Sequence, residues 1–378
     1  MATLAYLTPE VLRWARESVG YSLEDAANKV GVKPEKLAAA EAGEAYLTLR
    51  QAEKAAAVYD RPLAALYLPT PPVEEPQEQQ FRRLPGAPHP PWPPEMQLLA
   101  RRVRERQDAA LELYEVLDEE SPWADTLTVL TAGETVDPDV VRALLGISIE
   151  EQQSWRDPSG YKPLRSWTDA VERLGVLVLQ DGRLPLDVMR GFAAPHSAIP
   201  VVVVNTQDDA RARAFTIVHE LGHLCLAAIG RPVGRESEEW CNEFAGEIIM
   251  PREEFAAALS PDEGRTRLSS IDAVALEFGV TPYAAVVRGA RAGLLSRNAV
   301  NGLIAEIRTR GPRARGQDGG NYYLTQIGRL SPAYARLVLT ALDSQAVTAP
   351  AASSLLDGLK VSNFGKLREH LGRRMVEA

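Results

Sequence analysis

Cysteine is nearly absent from this chain: two residues, Cys225 and Cys241, in 378. Two thiols cannot build the disulfide framework of a small secreted domain, and they read as small buried side chains. No secretory leader pattern opens the chain, and no apolar run reaches the length of a membrane span. These absences lead to the expectation of a soluble, cytoplasmic protein without membrane contact. An excess of basic residues is missing as well: 42 Lys and Arg face 51 Asp and Glu, a net charge of −9. The chain as a whole does not attract nucleic acid, so any such binding must come from a local patch. Histidine is scarce, with five residues, which makes its placement informative. The remainder, 45% apolar and 25% charged, is ordinary for a globular protein long enough to hold two or three cores.

Two of the five histidines fall in one pentapeptide, His219-Glu220-Leu221-Gly222-His223. On a helix, residues four apart leave from one face, so both imidazoles can grip a single Zn²⁺. Glu220 is offset from them, so its carboxylate is directed at water beside the ion and reads as a general base. Phe215, Val218, Leu221 and Leu224 recur at three-residue steps and support the helix. A hydrolytic zinc needs a third protein ligand and one open position. The next helical stretch, Glu236 to Met250, supplies five glutamates. Glu238 is the preferred ligand, because Asn242 lies four residues on and is placed to orient a ligating imidazole. Glu239 is the second choice and Cys241 the third. A closed structural zinc on two His and two Cys competes with this reading, but Cys225 does not share a face with His223.

Residues 1 to about 70 read as five short helices, with Ser22 capping the second, Gly31 making a turn and Thr48 capping the fourth. Helix, Gly turn, helix is the spacing of a helix-turn-helix. The helix in the reading position, Lys33 to Glu41, has three alanines and two glutamates where base-reading side chains would stand. Lys33 and Lys36 are its candidate DNA contacts. Residues 1–70 hold eight Lys or Arg against nine Asp or Glu, so the alternative is a module that docks a partner or a second copy. Ten prolines from Pro69 to Pro94 predict a semi-rigid linker. Beyond it the pattern predicts a helix over Glu95 to Glu120 with a solvated arginine face, then further helices, with strands at Val176 to Leu179, Met189 to Phe192 and Pro200 to Val204. The order is α+β: mainly α with a small mixed sheet. If the valine run is an edge strand beside the metal, an extended substrate can pair with it. From Tyr283 to Arg329 eight arginines face Glu306 and Asp318, and Arg308 to Gly316 reads as a basic loop suited to an acidic partner or nucleic acid. Three helices close the chain. His196, Tyr322 and Tyr323 are the candidates to polarise a substrate carbonyl.

Arg213-Ala214-Phe215-Thr216 before the His-Glu motif, then Glu238-Glu239-Trp240-Cys241-Asn242 and Phe244 through Pro251, resemble the ImmA/IrrE metallopeptidases. Val201 to Val204 ending in Asn205 resembles the strand before that family's active helix, and the N-terminal segment resembles an XRE-type helix-turn-helix. The resemblance implies zinc on His219, His223 and Glu238, Glu220 as general base, and a gluzincin-like core. It implies a protein substrate of the repressor or antitoxin class, in a stress, phage or toxin–antitoxin setting. It equally admits an antitoxin or transcriptional regulator that binds DNA or a cognate toxin, with a structural or conditionally active zinc. The expected domains are an XRE-like domain at 1–68, the linker at 69–94, the zinc peptidase at 95–292 and a C-terminal helical domain with the basic loop at 293–378.

Overall fold

The computed structural model describes residues 3–73, 92–231, 235–259, 268–310 and 322–377. The linker from Glu74 to Pro91 and the loop residues Gly311 to Gly316 lie outside them. The described residues fall into two compact units, one up to Glu105 and one from Arg106 onward.

In the first unit four helices, α1 (Pro9–Glu17), α2 (Leu23–Val30), α3 (Pro34–Glu41) and α4 (Leu49–Val58), are followed by a 3₁₀ turn at Leu63–Tyr67. Local chemistry sets their ends. The Ser22 hydroxyl accepts from the Asp25 amide, and Thr48 and Gln51 form a reciprocal capping box. Between them the sequence missed a two-stranded antiparallel pair, β1 (Leu4–Ala5) with β2 (Leu47–Thr48), too short to show a period of two. Leu12, Val30, Leu37, Leu47 and Leu66 pack around the fully buried Tyr59. Glu41, read above as a poor base contact, is turned inward: Arg16 grips it through Nε at 2.8 Å and Nη2 at 2.9 Å.

Helix α5 (Pro94–Leu117) contributes to both units. Arg104 is exposed as expected, but Arg101 and Arg106 leave the solvated face. In the first unit Arg101 is buried and donates to the Tyr59 carbonyl at 2.9 Å. In the second, Arg106 donates to the Leu355 carbonyl and to Asp357, both at 2.8 Å, and stacks over the Tyr334 ring.

The second unit continues with α6 (Trp123–Thr131), α7 (Pro138–Leu145), α8 (Ile149–Gln153) and α9 (Tyr161–Arg173). Helix α6 was not legible in the sequence, since β-branched threonines disfavour helix. Here Thr126, Thr128 and Thr131 each return a hydrogen bond to the carbonyl four residues back. A three-stranded sheet follows, of β3 (Leu177–Asp181), β4 (Gly191–Ala194) and β5 (Val201–Asn205), in the order β3-β5-β4. β5 runs parallel to β3 and antiparallel to β4. The valine strand is therefore central, and pairing of a substrate with it is excluded because both its edges are occupied. Against this sheet packs α10 (Ala210–Ala228), followed by α11 (Arg235–Ile249), α12 (Arg252–Ala258), α13 (Leu268–Glu277), α14 (Pro282–Arg291) and α15 (Arg297–Arg310). Arg308 to Arg310, read as loop, are the last turn of α15. Among the described residues no single helix is long and apolar enough to cross a membrane.

The closing helices α16 (Tyr322–Leu330), α17 (Pro332–Asp343), α18 (Ala349–Leu355) and α19 (Phe364–Glu377) belong to the same unit, with α16 and α17 packed on β3. Buried Glu172 of α9 fastens them, accepting from the Ser331 hydroxyl at 2.6 Å, the Ala333 amide at 2.8 Å and Arg336 at 3.2 Å. Glu172→Ala leaves these donors unpaired and is expected to lower stability by about 2–4 kcal/mol, with Glu172→Gln intermediate. Urea denaturation checks this; midpoints equal to wild type for both variants would show that the anchor carries nothing.

Candidate metal centre and cleft

Helix α10 starts where the Asp209 carboxylate accepts from the Arg211 amide, and it lies with Val218, Leu221 and Leu224 buried in the core. That burial fixes the opposite side of the helix and with it both imidazoles, whose ring centroids are 5.0 Å apart. Helix α11 crosses α10 and brings a carboxylate to them. Glu238 Oε2 lies 3.4 Å from His219 Nε2, and Glu238 Oε1 lies 3.2 Å from His223 Nε2. One donor atom from each of the three lies within 4.8 Å of the others. Helix α11 is held at its far end by three side chains on successive carbonyls. Arg142 donates to Ile248, Gln152 to Ile249 at 2.8 Å and Arg288 to Met250 at 2.9 Å.

The donor set fits zinc. Tetrahedral Zn²⁺ with bonds near 2.05 Å separates its ligand atoms by about 3.3 Å, close to both His–Glu238 distances. His223 is buried with its Nδ1 unpartnered, and its Nε2 faces the Glu238 carboxylate. A cation shared by that ring nitrogen and the carboxylate satisfies the lone pairs of both. Two imidazoles and one carboxylate are also the ligands of an open, hydrolytic zinc rather than of a closed structural one. Cys225 and Cys241 stand outside the cluster, buried and free. Burial pushes the Cys225 thiol up to about 12, so it stays protonated.

Glu220 is buried beside the cluster, and its Oε2 has no hydrogen-bond partner. Desolvation, then the nearby Glu238 charge, raises its pKa well above the usual carboxylate value. Glu238 is shifted the opposite way, held low chiefly by hydrogen bonding to His219 and His223. The two neighbouring carboxylates are thus driven toward different protonation states. The backbone of β4 comes close to Glu220 at Gly191. A Cβ there would lie 2.5 Å from Thr216 Cγ2 and 3.2 Å from Glu220 Oε1. Gly191 was not singled out in the sequence, and nothing local marks it.

The cluster opens into a cleft of about 900 Å³. Leu186, Val188, Phe215 and Val287 give it apolar walls, and Tyr283, Arg288 and Arg291 line it from α14. Asn205 shapes one side: its amide donates to the Leu184 and Met189 carbonyls at 2.8 Å, pinning the segment before β4.

Other residues named from the sequence take other positions. The Asn242 amide donates to the Glu238 carbonyl at 2.8 Å, within its own helix, and not to an imidazole. Glu239 is exposed and outside the donor cluster, and Cys241 is on the buried side of α11. His196 sits in the β4–β5 connection, at the end of the strands away from Gly191. There its Nδ1 accepts from the Ala198 and Ile199 amides at 3.1 and 3.0 Å. The side chains of Tyr322 and Tyr323 lie outside the description. In the first unit Lys33 is exposed, whereas Lys36 donates to Gln51 at 2.9 Å and ties α3 to α4.

Comparison with known families gives two matches. Residues 171–288, which contain the whole cluster and most of the cleft, match the IrrE N-terminal-like domain of the M78 peptidases. Residues 12–66 match a helix-turn-helix domain. No curated protein and no solved structure matches the chain.

Proposed function

Taking a chain that carries a helix-turn-helix domain and an IrrE N-terminal-like peptidase domain, we propose a zinc-dependent endopeptidase that hydrolyses a regulatory protein. The substrate is of the repressor or antitoxin class, in a stress, phage or toxin–antitoxin setting. The observation that carries the reading is the convergence of His219, His223 and Glu238 beside a buried carboxylate with an unpartnered oxygen.

His219, His223 and Glu238 would hold the ion, which when bound supplies Lewis acidity to a carbonyl and acidifies water. Glu220 takes a proton at Oε2 as water attacks the scissile carbonyl and returns it to the leaving amine nitrogen. Its raised proton affinity suits both halves of that task. The cleft walls exclude bulk water from the carboxylate and hold the substrate chain extended across α10. The reading places this reaction in the cytoplasm, where the thiols of Cys225 and Cys241 stay reduced.

The second reading, a DNA-binding or toxin-sequestering regulator, is favoured by the helix-turn-helix match. Against direct base reading stand Lys36 and Glu41, both engaged inside their own domain. Zinc content of the full-length protein, followed by incubation with the products of neighbouring genes, separates the two. The peptidase reading expects about one zinc per chain and a cleaved neighbour. Intact binding of a neighbour or of operator DNA, with no cleavage by the zinc-loaded protein, would favour the regulator.

A further inference from the structure

Peptide hydrolysis builds negative charge on the carbonyl oxygen, and a hydrogen-bond donor aimed at that oxygen commonly accounts for a large part of the rate. The cleft has several donors, but most are committed elsewhere. Arg190 pairs with Asp208 at 2.5 Å, and Arg291 with Glu243 at 3.3 Å. Arg288 is buried, paired with Glu243 and Glu247 and bonded to the Met250 carbonyl. The Asn242 amide serves the Glu238 carbonyl, and the Thr216 hydroxyl serves the Ala212 carbonyl. The Thr281 hydroxyl accepts from the Ala284 amide, which leaves its hydrogen free but ties its short side chain to the cap of α14.

Tyr283 differs from all of these in carrying a free hydroxyl on a long side chain. It lines the same cleft as His219, Glu220 and Glu238, is 49% exposed, and among the described residues has no hydrogen-bond partner. Its mount is firm. Thr281 caps the helix two residues earlier, and five residues later Arg288 ties α14 to the end of α11. A phenol on a fixed first turn, open to the cleft and uncommitted, meets the requirement that the committed groups fail.

We propose that Tyr283 is a catalytic residue that donates its hydroxyl hydrogen to the scissile carbonyl oxygen of the substrate. The proposal rests on the peptidase reading above. It replaces His196, whose Nδ1 is spent on its own loop.

The test uses zinc-loaded full-length protein and a proteome-derived peptide library read by mass spectrometry, with kinetics on the best peptide found. Tyr283→Phe is expected to lower kcat about 10²-fold with KM within a few-fold and zinc content unchanged. A phosphinic analogue of that peptide, with its tetrahedral anionic oxygen, should bind the variant about as much more weakly. The uncleaved peptide, presented to Glu220→Gln with and without Tyr283→Phe, should bind nearly equally. If wild type cleaves and Tyr283→Phe matches it in kcat, or loses only KM, the phenol is a wall residue and the proposal falls alone. If zinc-loaded wild type cleaves nothing in the library, the peptidase reading falls and takes this one with it.

Discussion

Glu220→Gln should bind zinc as tightly as wild type, cleave about 10³-fold more slowly, and stabilise the metal-free protein at neutral pH. The amide keeps the shape of the side chain and removes only its ability to take a proton. Because Glu220 is not among the three converging donors, the ion should stay. His223→Ala is the contrast: it removes one of those donors and is expected to lose zinc and activity together. The stability effect follows from the direction of the pKa shift. Burial raises the Glu220 value above that of the unfolded chain. Between those two values the folded protein keeps a proton that the unfolded chain has released, so metal-free stability falls as pH rises through that window. Glutamine abolishes this slope. The gap in melting temperature between variant and wild type, both stripped of metal, should therefore widen from pH 4.5 upward. Glu238 behaves oppositely: its lowered value gives stability that is present above the ordinary carboxylate range and lost as pH falls through the shifted value. Thermal melts at several pH values with a chelator present check the first claim, and metal analysis with a cleavage assay checks the second. A Gln variant that still cleaves at the wild-type rate would remove Glu220 from the mechanism.

What could be read in the sequence was whatever rests on short spacing. Two imidazoles four residues apart share a helical face in any fold, and the apolar residues at three-residue steps said which face turns inward. Glu238 was within reach because it opens a strongly patterned helix. The role given to Asn242 is not what its amide does here, since it donates to the Glu238 carbonyl one turn back. The valine run was considered as a sheet edge, although its composition argued otherwise. Four consecutive apolar residues without alternation mark a strand covered on both faces, which is how central β5 is found. The interior positions of Arg101, Arg106 and Glu41 were not visible, because the groups they meet lie far away in sequence. Tyr283 was passed over for the same reason: the turn at Gly279 delivers α14 to the cleft, and local pattern says nothing of what that helix will face.

Gly222, between the two histidines, offers the sharpest test of whether the crossing of α10 and α11 makes the site. Helix propensity alone says that alanine there should stabilise the protein by about 0.5–1 kcal/mol. The structure predicts the reverse. A Cβ at Gly222 would lie 2.9 Å from Phe244 Cδ1 and 3.2 Å from Cys241 Sγ, both buried on α11. Phe244 cannot simply step aside, because it is stacked on Trp240 with centroids 4.8 Å apart. Relief has to come from moving α11 outward, at a cost of about 1–3 kcal/mol for the overpacked core. Glu238 lies one turn from Cys241 on that helix, so the same movement draws its carboxylate away from both imidazoles. Gly222→Ala is therefore expected to weaken zinc binding about 10–100-fold with every ligand still present. Gly246→Ala is the matched control on α11: its Cβ would meet only Arg288, at 3.5 Å, and should leave zinc affinity unchanged. Competition against a chelating dye measures both. Were Gly222→Ala to hold zinc as tightly as wild type and melt higher, the close approach of the two helices would not be what sets the metal site.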